Sequence, residues 1–164
     1  MESFYSEPQI SDLSNQLLNK LFQQPNGYYS HHSREFDFSA YFPEPVRGNM
    51  TDFLLEEIRE LGLAVQNSLW TASSLMAFRV FEETVITHVS YDLGISTNNK
   101  SFQKIIRYMS KTFKPSFVEQ LQELRKKRNT GMHPEERFTK QEVIDIAYEV
   151  LWILLFVYSI PVKE

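Results

Sequence analysis

The chain has 164 residues, a formal net charge of −4, no cysteine, and only five glycines and seven prolines among many aromatic residues. This length allows one domain with a substantial core. The scarcity of glycine and proline favours helices over a turn-rich β architecture. The absence of cysteine excludes disulfides and thiolate metal sites. The first residues form no basic or apolar leader, and the longest apolar run, 150–157, is far shorter than the roughly 20 residues of a membrane-spanning helix, so we expect a cytoplasmic protein without a membrane partner.

The N-terminal segment, residues 1–49, predicts a short helix followed by an aromatic-rich strap. Residues 1–9 are typical of a loose tail, and Ser11 is a suitable N-cap for a helix that ends near Phe22. Between 23 and 49, prolines and glycines interrupt a series of aromatic residues. So many aromatic side chains favour a segment that packs across the helices as a strap or lid.

Two adjacent histidines, His31 and His32, lie within this strap. No further ligands stand at metal-binding spacing around them, so the pair is typical of polar surface rather than of a metal site. We expect neither a metal nor a cofactor in this protein.

Two longer helices are predicted next. Thr51 is a suitable N-cap for a helix from Asp52 to about Val65. Helical periodicity predicts an inward face of Phe53, Leu54, Leu55, Ile58 and Leu61 and an outward face of Glu56, Glu57 and Glu60. After a break at 66–68, a third helix is expected from Leu69 to about Leu93, with Leu75, Phe78, Val85 and Val89 in one apolar stripe and Gly94 at its end.

A basic helix is predicted from Ser101 to Thr112, with Lys104, Arg107 and Lys111 on its outer face. The segment from Lys100 to Arg128 holds nine basic and two acidic residues, a net charge of +7, while the rest of the chain carries −11. Such a concentration of positive charge predicts local binding of phosphates, although the whole chain is acidic. A basic face that is merely solvated is the alternative interpretation.

The next helix is predicted to begin after Pro115, where Ser116 and Glu119 have the spacing of a capping box. Its apolar residues Phe117, Leu121 and Leu124 mark the buried face. Arg128 continues the same line, so its guanidinium is expected to point as the core residues do. Gly131 is expected to end the helix.

The last helix is predicted from a second capping box, formed by Thr139 and Glu142, to about Ile160. It is apolar on nearly all sides between 143 and 157. Such a helix either lies at the centre of a bundle or uses one face for the core and another for a partner chain.

Arg128, Asn129 and His133 have the order R-N-x-x-x-H, and Pro134 follows them. This order at a helix end resembles the R-x(4–6)-H motif of the HEPN (higher eukaryote and prokaryote nucleotide-binding) domain family. The resemblance implies an all-α, HEPN-like bundle of about five to six helices over residues 50–164.

In the catalytically competent members of that family, the arginine and histidine belong to a metal-independent endoribonuclease, which implies Arg128 and His133 as catalytic residues and Asn129 as an adjacent polar group. Histidine can act as a base or an acid near neutral pH, and arginine has the planar geometry to bind phosphate oxygens. Because one histidine cannot be base and acid in the same step, we expect a homodimer that brings two such turns together. The basic side chains Lys104, Arg107, Lys111, Arg125, Lys126 and Lys127 are the expected RNA-binding residues.

The run from Ala77 to Glu82 resembles the R-x-L-E helix of one HEPN branch, with Phe81 where that branch usually has leucine. Arg79 and Glu82 are therefore expected to support the site. An ion pair between Arg79 and Glu82 within one helix is the structural alternative; the functional alternative is that Glu82 reaches across the bundle to orient Arg128.

Two other functions remain open from the sequence. A non-catalytic HEPN-like module would bind RNA, a nucleotide or a partner protein through the same basic surface. A plain helical oligomerisation protein would neither bind nor cleave RNA. Proteins with the catalytic motif act as toxins or antiviral effectors, which implies an antitoxin or another regulatory partner.

Overall fold

The structure, a computed structural model, describes residues 3–23, 36–131 and 137–161. Within these ranges the chain forms seven α-helices and no β-strand, which confirms the predicted all-α class. The helices are α1 (Glu7–Phe22), α2 (Glu44–Arg47), α3 (Asp52–Gln66), α4 (Trp70–Thr87), α5 (Phe102–Tyr108), α6 (Pro115–Gly131) and α7 (Lys140–Tyr158). Short 3₁₀ turns at Phe38–Tyr41 and Met109–Lys111 and a π-helical turn at His88–Asp92 complete them.

The helices belong to two compact units. The first comprises Met1–Phe81 and Phe138–Glu164, and the second comprises Glu82–Arg137. The first unit therefore combines residues from both sides of the predicted division between 1–49 and 50–164. The second unit contains α5, α6 and the last turns of α4.

Helix α1 begins earlier than predicted. The Ser6 hydroxyl accepts a hydrogen bond from the Gln9 amide, and the Gln9 side-chain oxygen accepts one from the Ser6 amide. These two residues therefore form a capping box, which was not predicted from the sequence. The predicted cap at Ser11 is wrong because Ser11 already lies in the second turn of the helix. The predicted loose tail is also wrong for its described residues, since the Phe4 amide donates to the Ser159 carbonyl at 2.8 Å and α1 already begins at Glu7.

The part of the aromatic strap that follows residue 35 packs as predicted. Phe38, Phe42 and Val46 are buried in the first unit. The 3₁₀ turn approaches α3 so closely that a Cβ atom at Gly62 would lie 2.7 Å from the Cβ atom of Phe38, a distance at which only glycine fits without a shift. Residues 24–35, with His31 and His32, lie outside the described residues.

Helix α3 has the predicted cap and nearly the predicted bounds, because the Thr51 hydroxyl accepts a hydrogen bond from the Leu54 amide. Two of its predicted orientations are wrong. Phe53 is 55% exposed, and Glu57 is buried although it was expected to face solvent with Glu56 and Glu60. Leu75, in the predicted stripe of α4, is also exposed, at 39%.

Helix α7 contributes many buried residues to the first unit. Thr139 and Glu142 form the predicted capping box at its start. Its buried residues cover somewhat more than half of its circumference, which agrees with either predicted interpretation, a central helix or a helix with a second face for a partner chain. These residues are Val143, Ile146, Ala147, Val150, Leu151, Ile153, Leu154, Leu155, Val157 and Tyr158. Helix α1 makes its main contacts with this helix.

In the second unit, α5 and α6 pack as an antiparallel pair around an apolar core. The core includes Ile105, Ile106, Met109, Phe113, Phe117, Leu121 and Leu124, all buried. Helix α6 begins one residue earlier than predicted, because the Lys114 carbonyl accepts hydrogen bonds from the amides of Phe117 and Val118. Ser116 therefore lies inside the first turn, and its predicted capping box with Glu119 is wrong. The helix is described as far as Gly131, and the predicted role of Gly131 in ending it stays a prediction, because the residues that follow lie outside the described ranges.

Candidate functional site

The side chain of Arg128 is held from two directions at the end of α6. Its Nη2 atom lies 2.8 Å from Oε1 of Glu82, and its guanidinium carbon lies 5.4 Å from the centre of the Phe102 ring. The side chains of Arg128 and Glu82 are only 21% and 28% exposed. A carboxylate and an aromatic face, both partly shielded from water, therefore fix the position of this cation.

The register of α6 explains why an arginine occupies this place. Leu121 and Leu124 are fully buried, and Arg128 follows them on the same face, one turn further along. Because Arg128 lies in the last turn, its aliphatic part covers the edge of the core while its charged group reaches the rim. The predicted inward direction of the Arg128 side chain is confirmed, and this side chain is half-buried rather than fully buried.

The contact between Glu82 and Arg128 is the one that the functional alternative predicted. The competing ion pair between Arg79 and Glu82 is not the arrangement found, because Arg79 pairs with the buried carboxylate of Glu57 at 2.8 Å. This pairing also explains why Glu57 is buried: its charge is compensated by a residue of α4. Arg79 thus has a structural contact within the first unit, and a supporting role in catalysis stays a prediction for it.

Asn129 and His133 complete the predicted motif. Asn129 follows Arg128 directly in α6, and its side chain is exposed. His133 lies outside the described residues, so its place relative to Arg128 stays a prediction. The described part of the motif is therefore an oriented arginine followed by an exposed amide.

The predicted RNA-binding side chains lie on α5, on the 3₁₀ turn after it and on α6, and all but one are exposed. Lys104, Arg107, Lys111, Lys126 and Lys127 are exposed, while Arg125 is half-buried. The Nε atom of Arg125 donates to Gln122 Oε1 at 2.9 Å, which holds this guanidinium along the helix. Lys126 pairs with Glu123 at 2.6 Å and lowers the pKa of that carboxyl below its ordinary value.

A second polar cluster, for which no role was predicted from the sequence, lies in the same unit. His88, in the π-helical turn, is buried between Asp92 and Thr112, with Nδ1 2.8 Å from Asp92 Oδ2 and Nε2 3.0 Å from Thr112 Oγ1. Burial lowers the pKa of His88 below its ordinary value of 6.5, although Asp92 acts in the opposite direction. The spacing of His88 and Asp92, one helical turn apart, was the available signal.

Two searches of the described residues bear on other classes of function. Among the described side chains, no group of three or more histidine, cysteine, aspartate or glutamate residues is placed to hold a metal ion. None of the helices in the described ranges has both the length and the apolarity that crossing a membrane requires.

Comparison with known proteins found no match to the chain among family models, curated proteins or solved structures.

Proposed function

We propose that this protein is a metal-independent endoribonuclease that works as a homodimer, with Arg128 and His133 as catalytic residues and Asn129 beside them. The observation that carries the proposal is the half-buried guanidinium of Arg128, which Glu82 and Phe102 orient at the end of a basic helix. An arginine held in this way is prepared to bind a phosphate, because little side-chain freedom remains to be lost on binding.

The proposed reaction is attack of an RNA 2′-hydroxyl on the adjacent phosphate. A neutral His133 removes the proton from the 2′-hydroxyl, the new oxygen–phosphorus bond forms, and the bond to the 5′-oxygen breaks. Arg128 donates to the non-bridging oxygens as negative charge develops on them. The products are a 2′,3′-cyclic phosphate and a free 5′-hydroxyl.

The leaving 5′-oxygen needs a proton, and the histidine that has just accepted one cannot supply it in the same step. His133 of the partner subunit is the proposed acid, which makes the dimer a requirement of the chemistry. Asn129 is the proposed neighbour that holds the scissile phosphate or fixes the tautomer of His133.

Exposed cations support RNA as the substrate. Lys104 and Arg107 are exposed on α5, the helix that also contributes Phe102 to the Arg128 contact, and Lys111 is exposed in the 3₁₀ turn that follows. Phosphates along an RNA strand would be attracted to these side chains in a salt-dependent manner. With this activity, a toxin or antiviral effector in the cytoplasm, kept inactive by an antitoxin or another regulatory protein, is the proposed biological setting.

The same positive surface favours a second candidate function, that of a non-catalytic module that binds RNA, a nucleotide or a partner protein. The carboxylate of Glu82 already compensates Arg128, and a compensated arginine can be structural. Binding of RNA that weakens with salt, without any cleavage, would identify this second function.

The test of the proposed function is cleavage of single-stranded RNA in the presence of EDTA. The wild-type protein is expected to cut the strand, and His133→Ala is expected to abolish cleavage while light scattering still gives the mass of a dimer. His32→Ala is the matched control and should cut as the wild type does. Cleavage that survives His133→Ala would contradict the proposal.

A further inference from the structure

His88 is a buried titratable side chain that the proposed ribonuclease does not use. Its side chain is 8% exposed, and both ring nitrogens have hydrogen-bond partners, Asp92 on Nδ1 and Thr112 on Nε2. The Phe113 ring lies 5.2 Å from the imidazole, centre to centre. The imidazole is therefore held in one orientation.

The partners of His88 determine where its proton lies. The Asp92 carboxylate can only accept a hydrogen bond, so Nδ1 carries the proton and Nε2 is the acceptor for the Thr112 hydroxyl. Burial lowers the pKa of His88, so the ring is neutral at pH 7 and can accept a further proton. This is the arrangement of a hydroxyl, a base and a carboxylate that orients the base.

The two ends of this cluster lie at the surface, and its middle is buried. Thr112 is exposed and lies in the sequence between two exposed lysines, Lys111 and Lys114, and Asp92 is exposed as well, whereas the imidazole between Thr112 and Asp92 is buried. His88 and Asp92 lie at the two ends of a π-helical turn, an element that is rare and frequently found at functional sites. Thr112 thus lies at the surface, while the base that it contacts is buried.

We propose that Thr112 is the nucleophile of an acyl-transfer centre that acts on carboxylic esters, with His88 as the general base and Asp92 as a positioning residue. The Thr112 oxygen attacks the ester carbonyl carbon and forms a bond to it, and its proton passes to Nε2 of His88. The ester carbon–oxygen bond then breaks, and the same proton passes to the leaving alkoxide. Water releases the acyl group from Thr112 by the same steps, with His88 again as the base.

The experiment uses the full chain and diisopropyl fluorophosphate, which modifies activated hydroxyl groups. The Thr112 oxygen is expected to bond to phosphorus, fluoride leaves, and mass spectrometry of the digested protein should place the group on Thr112. Thr112→Ser should still react, and His88→Asn should react about 100-fold more slowly. Thr130→Val is the matched control, because the exposed Thr130 has its hydroxyl bonded only to a backbone carbonyl of its own helix.

The pH profile separates this centre from a surface amine. Reaction at Thr112 requires neutral His88, so its rate falls as the pH drops through the lowered pKa of His88 and is constant above about pH 7. Asp92→Asn should lower the constant rate. Modification of lysines with a rate that keeps rising toward pH 10 would overturn the proposal, as would equal reaction of the wild type and His88→Asn, or no reaction at all. If His88→Asn does not fold, Thr112→Val is the deciding variant, because the substitution is at an exposed position and must abolish the modification.

Discussion

Replacing Arg128 with alanine is expected to lower kcat/KM for RNA cleavage by about 100- to 1,000-fold, because the variant lacks the donor that we propose stabilises the charge developing on the phosphate. Arg128→Lys should recover only a small part of the activity, since an ammonium group keeps the charge but not the planar fork that Glu82 and Phe102 orient. Single-turnover cleavage of a short RNA strand measures both variants.

Arg125→Ala is the matched control for the Arg128 variants. Arg125 belongs to the same helix and is also half-buried, but its guanidinium bonds to Gln122 of its own helix. Its removal should change cleavage by no more than about threefold, the effect of weakening one phosphate contact. A large loss in Arg125→Ala with normal cleavage in Arg128→Ala would contradict the assignment of Arg128.

Two substitutions of Glu82 are expected to distinguish two effects of its carboxylate, the orientation of Arg128 and the negative charge beside Arg128. Glu82→Ala removes the carboxylate at 2.8 Å from Arg128, so the guanidinium loses its fixed direction. We expect kcat to fall about 10-fold, and the free energy of unfolding to fall by about 1–3 kcal/mol because a half-buried charged donor loses its acceptor. Single-turnover kinetics and urea unfolding measure the two effects.

Glu82→Gln is the informative companion to this variant. Its amide oxygen still accepts from Arg128, but the negative charge is gone, so RNA phosphates meet a more positive site. RNA binding should tighten, and most of kcat should remain. Glu83→Ala is the neighbouring control, since Glu83 accepts a hydrogen bond from Thr87 in its own helix. Wild-type behaviour in both Glu82 variants would show that the contact has no role in positioning Arg128.

Helix starts were predictable where one capping residue had no competitor nearby. Thr51 and Thr139 cap α3 and α7 as expected, because a hydroxyl three residues before an amide is a local signal. The predicted caps at Ser11 and Ser116 were wrong for a reason that is equally local. In each case an earlier residue, Ser6 or Pro115, already starts the helix, and the serine lies inside it.

Partners from distant parts of the chain were less accessible to sequence reasoning. The periodicity of α6 predicted the direction of Arg128. The pairing of Arg128 with Glu82 was only one of two alternatives, since Glu82 was named from the resemblance to the R-x-L-E helix and an ion pair with Arg79 was equally open. The burial of Glu57 was missed because the same periodicity counts a glutamate as a surface residue unless its partner, Arg79, is known. His88 was missed for a related reason: one of its two partners, Thr112, lies 24 residues away.

The most direct measurement of the central claim uses a DNA strand with a single ribonucleotide, incubated with the wild-type protein in EDTA. The 2′-hydroxyl is the proposed nucleophile, so cleavage is expected only at the 3′ side of that ribonucleotide, with a 2′,3′-cyclic phosphate on the product, and it should disappear in Arg128→Ala and in His133→Ala. Cleavage at deoxyribonucleotides as well, or cleavage at the ribonucleotide that both substitutions leave unchanged, would contradict the account.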